Sequence, residues 1–335
     1  MNVLLTCVGR RSYLVEYFKD SIQPGGRVIA ANSDDLTSGM LQADKSYVVP
    51  RVDSNEYIPT ILEICKKEDV GLVVSLFDID LPYLSESLDL FAKAGVRLAV
   101  SDPWVIDIAN DKWKTFNFFE EHGIATPRTY LSLSDAYLGV EKKEIAFPVI
   151  VKPRWGMGSL SIYKADDIDE LNFLYQFSKK QIEKSYLNIL SKEDMERPVL
   201  IQEFVSGNEY GLDVFNDLEG EYIQTVAKQK IAMRSGETDM ARTVSDPRLD
   251  AIGASLSELF RHRGNMDVDL LERPDGQFVV LEINARFGGG YPFSHLSGAN
   301  FPLSLVEMAG GIKPKIFEII NSVVGLKSMN IIKVS

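Results

Sequence analysis

The chain has 335 residues, 45% hydrophobic and 25% charged, with 36 basic against 48 acidic side chains and a formal net charge of −12. That length suits two or three domains, and the composition is that of a folded globular chain, which sets aside long disorder, collagen and coiled coil. An acidic surface repels phosphate backbones and anionic lipid, so neither nucleic acid nor a membrane is expected as main partner; two cysteines and three histidines leave no disulfide framework, Cys-rich zinc site or multi-histidine metal centre.

The N-terminus, MNVLLTCVGRR, places its arginines after a short apolar run, which reads as a first strand and not as a signal peptide. No run approaches the ~18 apolar residues of a membrane span, and a soluble cytoplasmic protein is expected. Strand signals at Val3–Cys7, Val28–Ala31, Gly71–Leu76 and Val96–Val100 alternate with helical spacing at Ser12–Lys19, Tyr57–Lys67 and Leu81–Ala94. Short apolar runs alternating with helices predict a parallel sheet covered on both faces. Ligands of such sheets sit at the carboxyl ends of the strands. Gly9–Ser12, Asn32–Asp35 and Phe77–Asp80 are therefore expected around a crevice. A G-x-G-x-x-G fingerprint is absent, which favours ordinary scaffold turns over a nucleotide site in this part of the chain.

Asp102-Pro103 marks a boundary, followed by a helix over Ile106–His122. From Phe147 onward the pattern changes to longer strands joined by turns: Val149–Lys152, Leu160–Tyr163, Val199–Phe204, Gly211–Phe215, Tyr222–Gln229, Met266–Leu271 and Phe278–Ile283. Ile168–Leu190 reads as an amphipathic helix, and Ser191–Pro198 as a charged surface loop. The expected plan is an α/β parallel-sheet domain over 1–105 and an antiparallel α+β domain over 106–310. A lid subdomain at about 127–197 and a C-terminal segment, 311–335, packed on the core complete it.

The run DVDLLERPDGQFVVLEIN, Asp267 to Asn284, carries the most chemistry. Asp275-Gly276 is a favoured two-residue hairpin turn. Pairing outward from it sets Asp269 opposite Glu282 and Asp267 opposite Asn284, all on one face, with Val268, Leu270, Leu281 and Ile283 on the other. Opposed carboxylates ~5 Å apart repel, or one of them binds a proton, unless a cation lies between them. All-oxygen ligands select Mg²⁺ or Mn²⁺. Arg286 and Gly288-Gly289-Gly290 follow directly, adding a fixed positive charge and accessible backbone. A solvated polar face is the alternative.

Two further features suit an anion. Gly156-Met157-Gly158-Ser159 joins two strands, a loop able to cradle phosphate through backbone N–H groups, though it is not a P-loop. Lys152 lies on an apolar strand, where a lysine needs a partner. Lys112 follows Asn110-Asp111 at a helix start, where a bound anion would give it one. In the run RSGETDMAR and its surroundings, Lys228, Lys230, Arg234 and Arg242 form a basic cluster in a net-acidic chain.

Taken in order, Asp111-Lys112, Val151-Lys152-Pro153, Gly156–Ser159, IQEFVSGNEYGLDV, Asp269 and Glu282-Ile283-Asn284-Ala285-Arg286 resemble the motifs of the ATP-grasp superfamily, with a particular likeness to carbamoyl-phosphate-synthase large-subunit-like proteins. The match runs from about Asp111 to Leu305, and residues 1–105 look like a pre-ATP-grasp domain. The resemblance implies that Lys112 and Lys152 hold ATP phosphates, with Gly156, Met157, Gly158 and Ser159 as a flap. It implies adenine contacts from Gln202, Glu203, Phe204 and Val205, and a ribose contact from Glu209. Asp269, Glu282 and Asn284 would ligate magnesium, with Glu282 bridging two ions, and Arg286 would stabilise the transferring phosphoryl group. Arg10, Arg11, Lys230, Arg242 and Gly288 are expected around the acceptor. The implied activity is an ATP- and magnesium-dependent ligase joining a small carboxylate to an amine through an acyl phosphate and releasing ADP. It would act as a homodimer or with a partner subunit. The alternatives are a carbamoyl-phosphate-synthase-like subunit acting with a partner, and a non-catalytic ATP-binding module.

Overall fold

A computed structural model of the chain describes residues 1–156, 160–185, 187–328 and 331–334. The first domain is a five-stranded parallel sheet of β1 (Asn2–Thr6), β2 (Val28–Asn32), β3 (Lys45–Val48), β4 (Val70–Ser75) and β5 (Arg97–Leu98), in the order β3-β2-β1-β4-β5. The chain winds outward from β1 to β3, then returns to β4 on the other side of β1. The carboxyl ends of β1 and β4 therefore flank the topological switch point. The turns at Gly9–Arg11 and Phe77–Asp80 meet there. Asn32–Asp35, at the end of β2, is mostly exposed and lies outside the cleft that Arg10 and Arg11 line. Edge strand β3, with its half-exposed KSYV, had no apolar run to announce it.

The expected helix over Ile106–His122 is two helices, Pro103–Asn110 and Lys112–Glu121. Asp111 breaks them: its backbone is extended (φ −109°, ψ 102°) and its side chain accepts from the Trp113 and Lys114 amides, capping the second helix.

The lid is a four-stranded antiparallel sheet of β6 (Thr129–Tyr130), β7 (Val149–Pro153), β8 (Tyr163–Ala165) and β9 (Val199–Glu203), in the order β6-β9-β7-β8. Helices Leu133–Glu141 and Ile168–Lys184 cover it, with a core of its own around Ile145, Val149, Val151, Leu171, Ile182 and Ile201. Its sheet runs past residue 197, to Glu203.

The remaining sheet has six antiparallel strands: β10 (Asn208–Asn216), β11 (Tyr222–Arg234), β12 (Glu237–Val244), β13 (Gly264–Glu272), β14 (Phe278–Asn284) and β15 (Val324–Leu326), in the order β14-β13-β10-β11-β12-β15. It shares two continuous apolar cores with the first domain. One joins Leu4, Ile29 and Val73 to Leu212, Val268 and Ile283, and the other joins Leu5, Phe18 and Val74 to Phe215, Phe287 and Phe301. The first domain and this sheet are thereby fixed to each other, while the lid is separately cored. No described helix is long and apolar enough to cross a membrane.

Candidate active site

The hairpin β13–β14 sets the floor of the site. Asp269 stands opposite Glu282, and Asp267 opposite Asn284, as the sequence predicts. The turn between them is different. Gly276 N–H donates to the Arg273 carbonyl at 2.8 Å, Arg273 N–H to the Gln277 carbonyl at 2.8 Å, and Gly276 has φ +84°. This is a three-residue loop, Pro274 to Gly276, in which proline occupies the first corner and glycine the left-handed position. Near the turn the register is therefore one residue off the expected one, with Glu272 opposite Phe278 and Leu270 opposite Val280. A bulge at Leu281 restores it. The bulge turns Leu281 toward the cleft beside Leu271, and Val280 takes the core position expected of Leu281.

The cleft above this floor has a volume of roughly 550 Å³. Lys112, Lys152, Gly156, Gln202, Glu203, Phe204, Val205, Glu209, Lys230, Asp269, Glu282, Asn284 and Arg286 all line it, as do Arg10 and Arg11 from the first domain. Met157, Gly158 and Ser159 lie outside the described residues.

Lys112 and Lys152 enter the cleft from both sides. Lys152, on β7, is 3% exposed, and its Nζ donates to Gln202 Oε1 at 2.8 Å. Gln202 in turn donates to Thr129 Oγ1 at 2.9 Å, so it orients the lysine. Burial pushes the Lys152 ammonium down to about 8; Glu282 and Asp269 pull it up and Lys112 opposes them. Lys112 donates to the Gly156 carbonyl at 2.6 Å and lies 3.4 Å from Glu282 Oε2. Its helix start is fixed by Arg154, which holds Asp111 through two bonds of 2.8 and 2.7 Å.

Burial tends to raise the Glu282 carboxyl, but Lys112, Lys152 and Lys230 outweigh it and hold the group well below the usual carboxylate range. Burial, with Asp267 and Glu282 nearby, pushes Asp269 up against the pull of Lys230. Lys230 bridges Glu209 and Asp269 at 2.7 Å each. Arg286 is 8% exposed and gripped from two domains: Nε and Nη2 donate to Asp78 Oδ2 at 3.0 and 2.8 Å, and Nη1 donates to Asp267 Oδ2 at 3.2 Å. Asp78, at the carboxyl end of β4, has a role that its sequence position alone did not reveal.

At the hinge between lid and sheet, the Glu203 side chain is taken by Arg273, whose Nη1 and Nη2 donate at 2.5 and 2.8 Å. The Glu203 N–H goes to the Arg128 carbonyl, while among the described residues the Val205 N–H has no acceptor. Phe204 is half exposed at the cleft wall.

Arg242 and Gly288, expected around the acceptor, and Lys228 of the basic cluster stand outside the lining of the cleft. Arg242 lies across from Gln229 on β11, so alternation puts it on the face opposite Lys228 and Lys230, where it donates to Gln229 Oε1 at 2.7 Å and does not line the cleft. Lys228 is sealed in the interior, 2.5 Å from Asp213 and 3.3 Å from the Ser294 hydroxyl. Gly288 is spacing, not a contact surface: a Cβ there would stand 2.1 Å from the Asp267 carboxyl carbon. Gly289 and Gly290 line the cleft in its place. The run RSGETDMAR forms the β11–β12 hairpin, turning through Ser235 (φ +50°) and Gly236 (φ +78°).

The residues fit a hard divalent ion. Asp269, Glu282 and Asn284 supply oxygen donors on one strand pair. Among the described residues no three His, Cys, Asp or Glu side chains close into a cage. That suits magnesium, which uses one or two carboxylates and completes its shell with phosphate oxygens and water.

Two family models match the chain: "PylC-like, N-terminal domain" over residues 3–99 and "ATP-grasp domain" over residues 109–290. A carbamoyl-phosphate synthase of Methanobrevibacter smithii is 24% identical over 285 residues, covering 80% of this chain and 70% of that one. The arginine-specific carbamoyl phosphate synthase large chain of Bacillus subtilis is 20% identical over 269 residues, covering 77% of this chain. This chain spans only 24% of that relative's length. Among solved structures, the biotin carboxylase domain of Hydrogenobacter thermophilus 2-oxoglutarate carboxylase, crystallised with MgADP, ADP and bicarbonate, superposes with a TM-score of 0.74 at 14% identity, covering 96% of this chain and 73% of that one. With a PylC-like domain in front and an ATP-grasp domain over residues 109–290, more than half of its length, the chain belongs to the ATP-grasp family.

Proposed function

We propose that the protein joins a small carboxylate to an amine, using ATP and releasing ADP and phosphate. The observation that carries this reading is that Lys112, Lys152 and Arg286, from three separate elements, line one cleft with the carboxylates Asp269 and Glu282. All of these groups serve the charged end of a triphosphate. An acceptor carboxylate oxygen attacks the γ-phosphorus, a C–O–P bond forms, and the bond to the β-phosphate oxygen breaks to release ADP. The amine nitrogen then attacks the acyl carbon, loses a proton, and phosphate departs.

Lys112 and Lys152 hold the phosphates in line with the acceptor, and Arg286 stabilises the charge that develops on the transferring group. Asp78 and Asp267 keep that guanidinium aimed, and Gln202 keeps Lys152 aimed. A bound magnesium ion, held by Asp269, Glu282 and Asn284, would neutralise phosphate charge. The adenine would lie against Phe204 and Leu281 with its edge on the Val205 amide, and Glu209 would take the ribose. Closure of the lid over Gly156 would keep water from the acyl phosphate. No protein nucleophile takes part.

The test is to incubate the protein with ATP, magnesium, an amine and a panel of carboxylic acids, and identify the nucleotide product. Bicarbonate belongs in the panel, since relatives carry the name carbamoyl phosphate synthase. ADP and phosphate in the presence of acid are expected. AMP and pyrophosphate reject the mechanism, and tight ATP binding with no turnover across the panel favours a binding module.

A further inference from the structure

One stretch of the cleft wall carries charges of both signs, outside the groups assigned above to the nucleotide. Arg10 and Arg11 lie in the turn between β1 and helix Ser12–Ser21; Glu237 and Thr238 open β12 on the facing hairpin. Both sides are anchored on the loop that follows Arg286. Arg11 Nη1 donates to the Phe287 carbonyl at 2.5 Å. Glu237 packs on Gly289, where an added Cβ would stand 3.3 Å from its Cγ and Cδ, so glycine there makes room for the carboxylate beside the phosphoryl-transfer arginine.

The charge balance of these groups is unusual for this cleft. Lys112, Lys230 and Arg286 each have a carboxylate partner, and Lys152 has the Gln202 amide oxygen. Among the described residues Arg10 and Arg11 have none, in a chain with 48 acidic side chains against 36 basic ones. Glu237 accepts from Lys327 Nζ at 3.2 Å through Oε2, its one side-chain hydrogen bond among the described residues. Burial tends to raise its carboxyl, but Lys327, Arg11 and Arg10 outweigh it and hold the group below the usual range, so Glu237 is an anion at neutral pH.

We propose that the acceptor is an α-amino acid bound as its zwitterion, with Arg10 and Arg11 drawing in and orienting its carboxylate and Glu237 taking its ammonium group. This deepens the ligase reading and rests on it. Guanidinium groups bind carboxylates through paired, charge-assisted hydrogen bonds, and a carboxylate with a free oxygen is the matching acceptor for an ammonium. Holding the amino group as an ammonium on Glu237 also removes it as a nucleophile, so the carboxylate alone faces the γ-phosphate and the acceptor does not condense with itself. Glu237 is thus the residue that selects for the α-amino group.

The experiment is calorimetric titration, in the presence of a non-hydrolysable ATP analogue and magnesium, of the proteinogenic L-amino acids, their N-acetyl derivatives and the matching acids that lack the amino group. At least one amino acid should bind, with its N-acetyl and des-amino counterparts weaker by about ten- to hundred-fold, the range expected for a lost hydrogen bond to a charged group. Glu237→Gln should erase that preference while the ATP analogue binds as before. Lys327→Met should keep the preference, because Lys327 only neighbours the selecting carboxylate; if Glu237 were merely the ion-pair partner of Lys327, both variants would behave alike. Equal binding of amino and des-amino acids, retention of the preference in Glu237→Gln, or binding of no amino acid at all overturns the proposal. ADP release, measured alongside, separates the two readings. Selective amino-acid binding without turnover keeps the zwitterion site and removes the ligase, and turnover with des-amino acids alone does the reverse.

Discussion

At the level of single residues, Lys152 makes the pH behaviour of the site testable. Burial lowers it from the ordinary 10.5 to about 8. Below pH 8 the lysine is protonated in the folded and unfolded chain alike. Between about 8 and 10.5 the unfolded chain keeps a proton that the folded chain has lost, so this group's contribution to stability rises with pH across that window. Phosphate binding needs the opposite, the charged form. Binding of an ATP analogue at pH 9 should therefore take up a proton, seen as a dependence of the calorimetric heat on buffer ionisation enthalpy, and Lys152→Met should abolish it. Glu282 is the second residue whose role can be tested directly. Glu282→Ala should leave the fold intact and lower magnesium-dependent kcat/KM by roughly ten-thousand-fold, several kcal/mol of transition-state stabilisation. Unchanged magnesium dependence in an active variant would remove the metal assignment.

At the level of elements, the hairpin and its following loop act as one device. The opposition of Asp269 and Glu282 was legible from alternation and turn chemistry, yet through two errors that cancel, a loop one residue longer and a bulge one residue wide. Pro274 explains the first: its fixed φ suits the leading corner of a type I turn and leaves Gly276 as the left-handed residue. The bulge at Leu281 has no local signature, since only the packing of Val280 into the core distinguishes it. Strand β12 was missed because its buried positions are Thr238, Ala241 and Thr243, small or polar side chains that give no apolar alternation. Lys228 and Lys230 look alike in sequence, and only tertiary packing separates the sealed one from the one in the cleft. The glycine run was visible, but not its purpose. Gly288→Ala would drive a methyl group into the Asp267 carboxylate at 2.1 Å and loosen Arg286. Turnover should fall by more than about a hundred-fold for a stability loss of about 1–3 kcal/mol, measured by urea denaturation alongside kinetics.

At the level of the whole molecule, two bodies are cored together and the third is cored alone. Three of the ties between the lid and the rest are Arg154 on Asp111, Arg273 on Glu203, and Lys112 on the Gly156 carbonyl. Each tie has one end on a residue that lines the cleft or caps an element in it, so nucleotide occupancy should tighten the lid as a unit. Hydrogen exchange at the amides of Trp155 and Gly156 should slow when an ATP analogue and magnesium bind; unchanged exchange at saturating nucleotide would contradict lid closure.

The grip of Asp78 on Arg286 reaches beyond a single turnover. Arg286 follows the carboxylate hairpin, but the carboxylate that takes two of its N–H groups stands 208 residues earlier, in the turn after β4. The leading domain is therefore not an exchangeable module. A chimaera that grafts a foreign leading domain without an acid at this place would inherit an arginine whose buried charge is left half balanced, and the two segments are bound to be inherited as a pair.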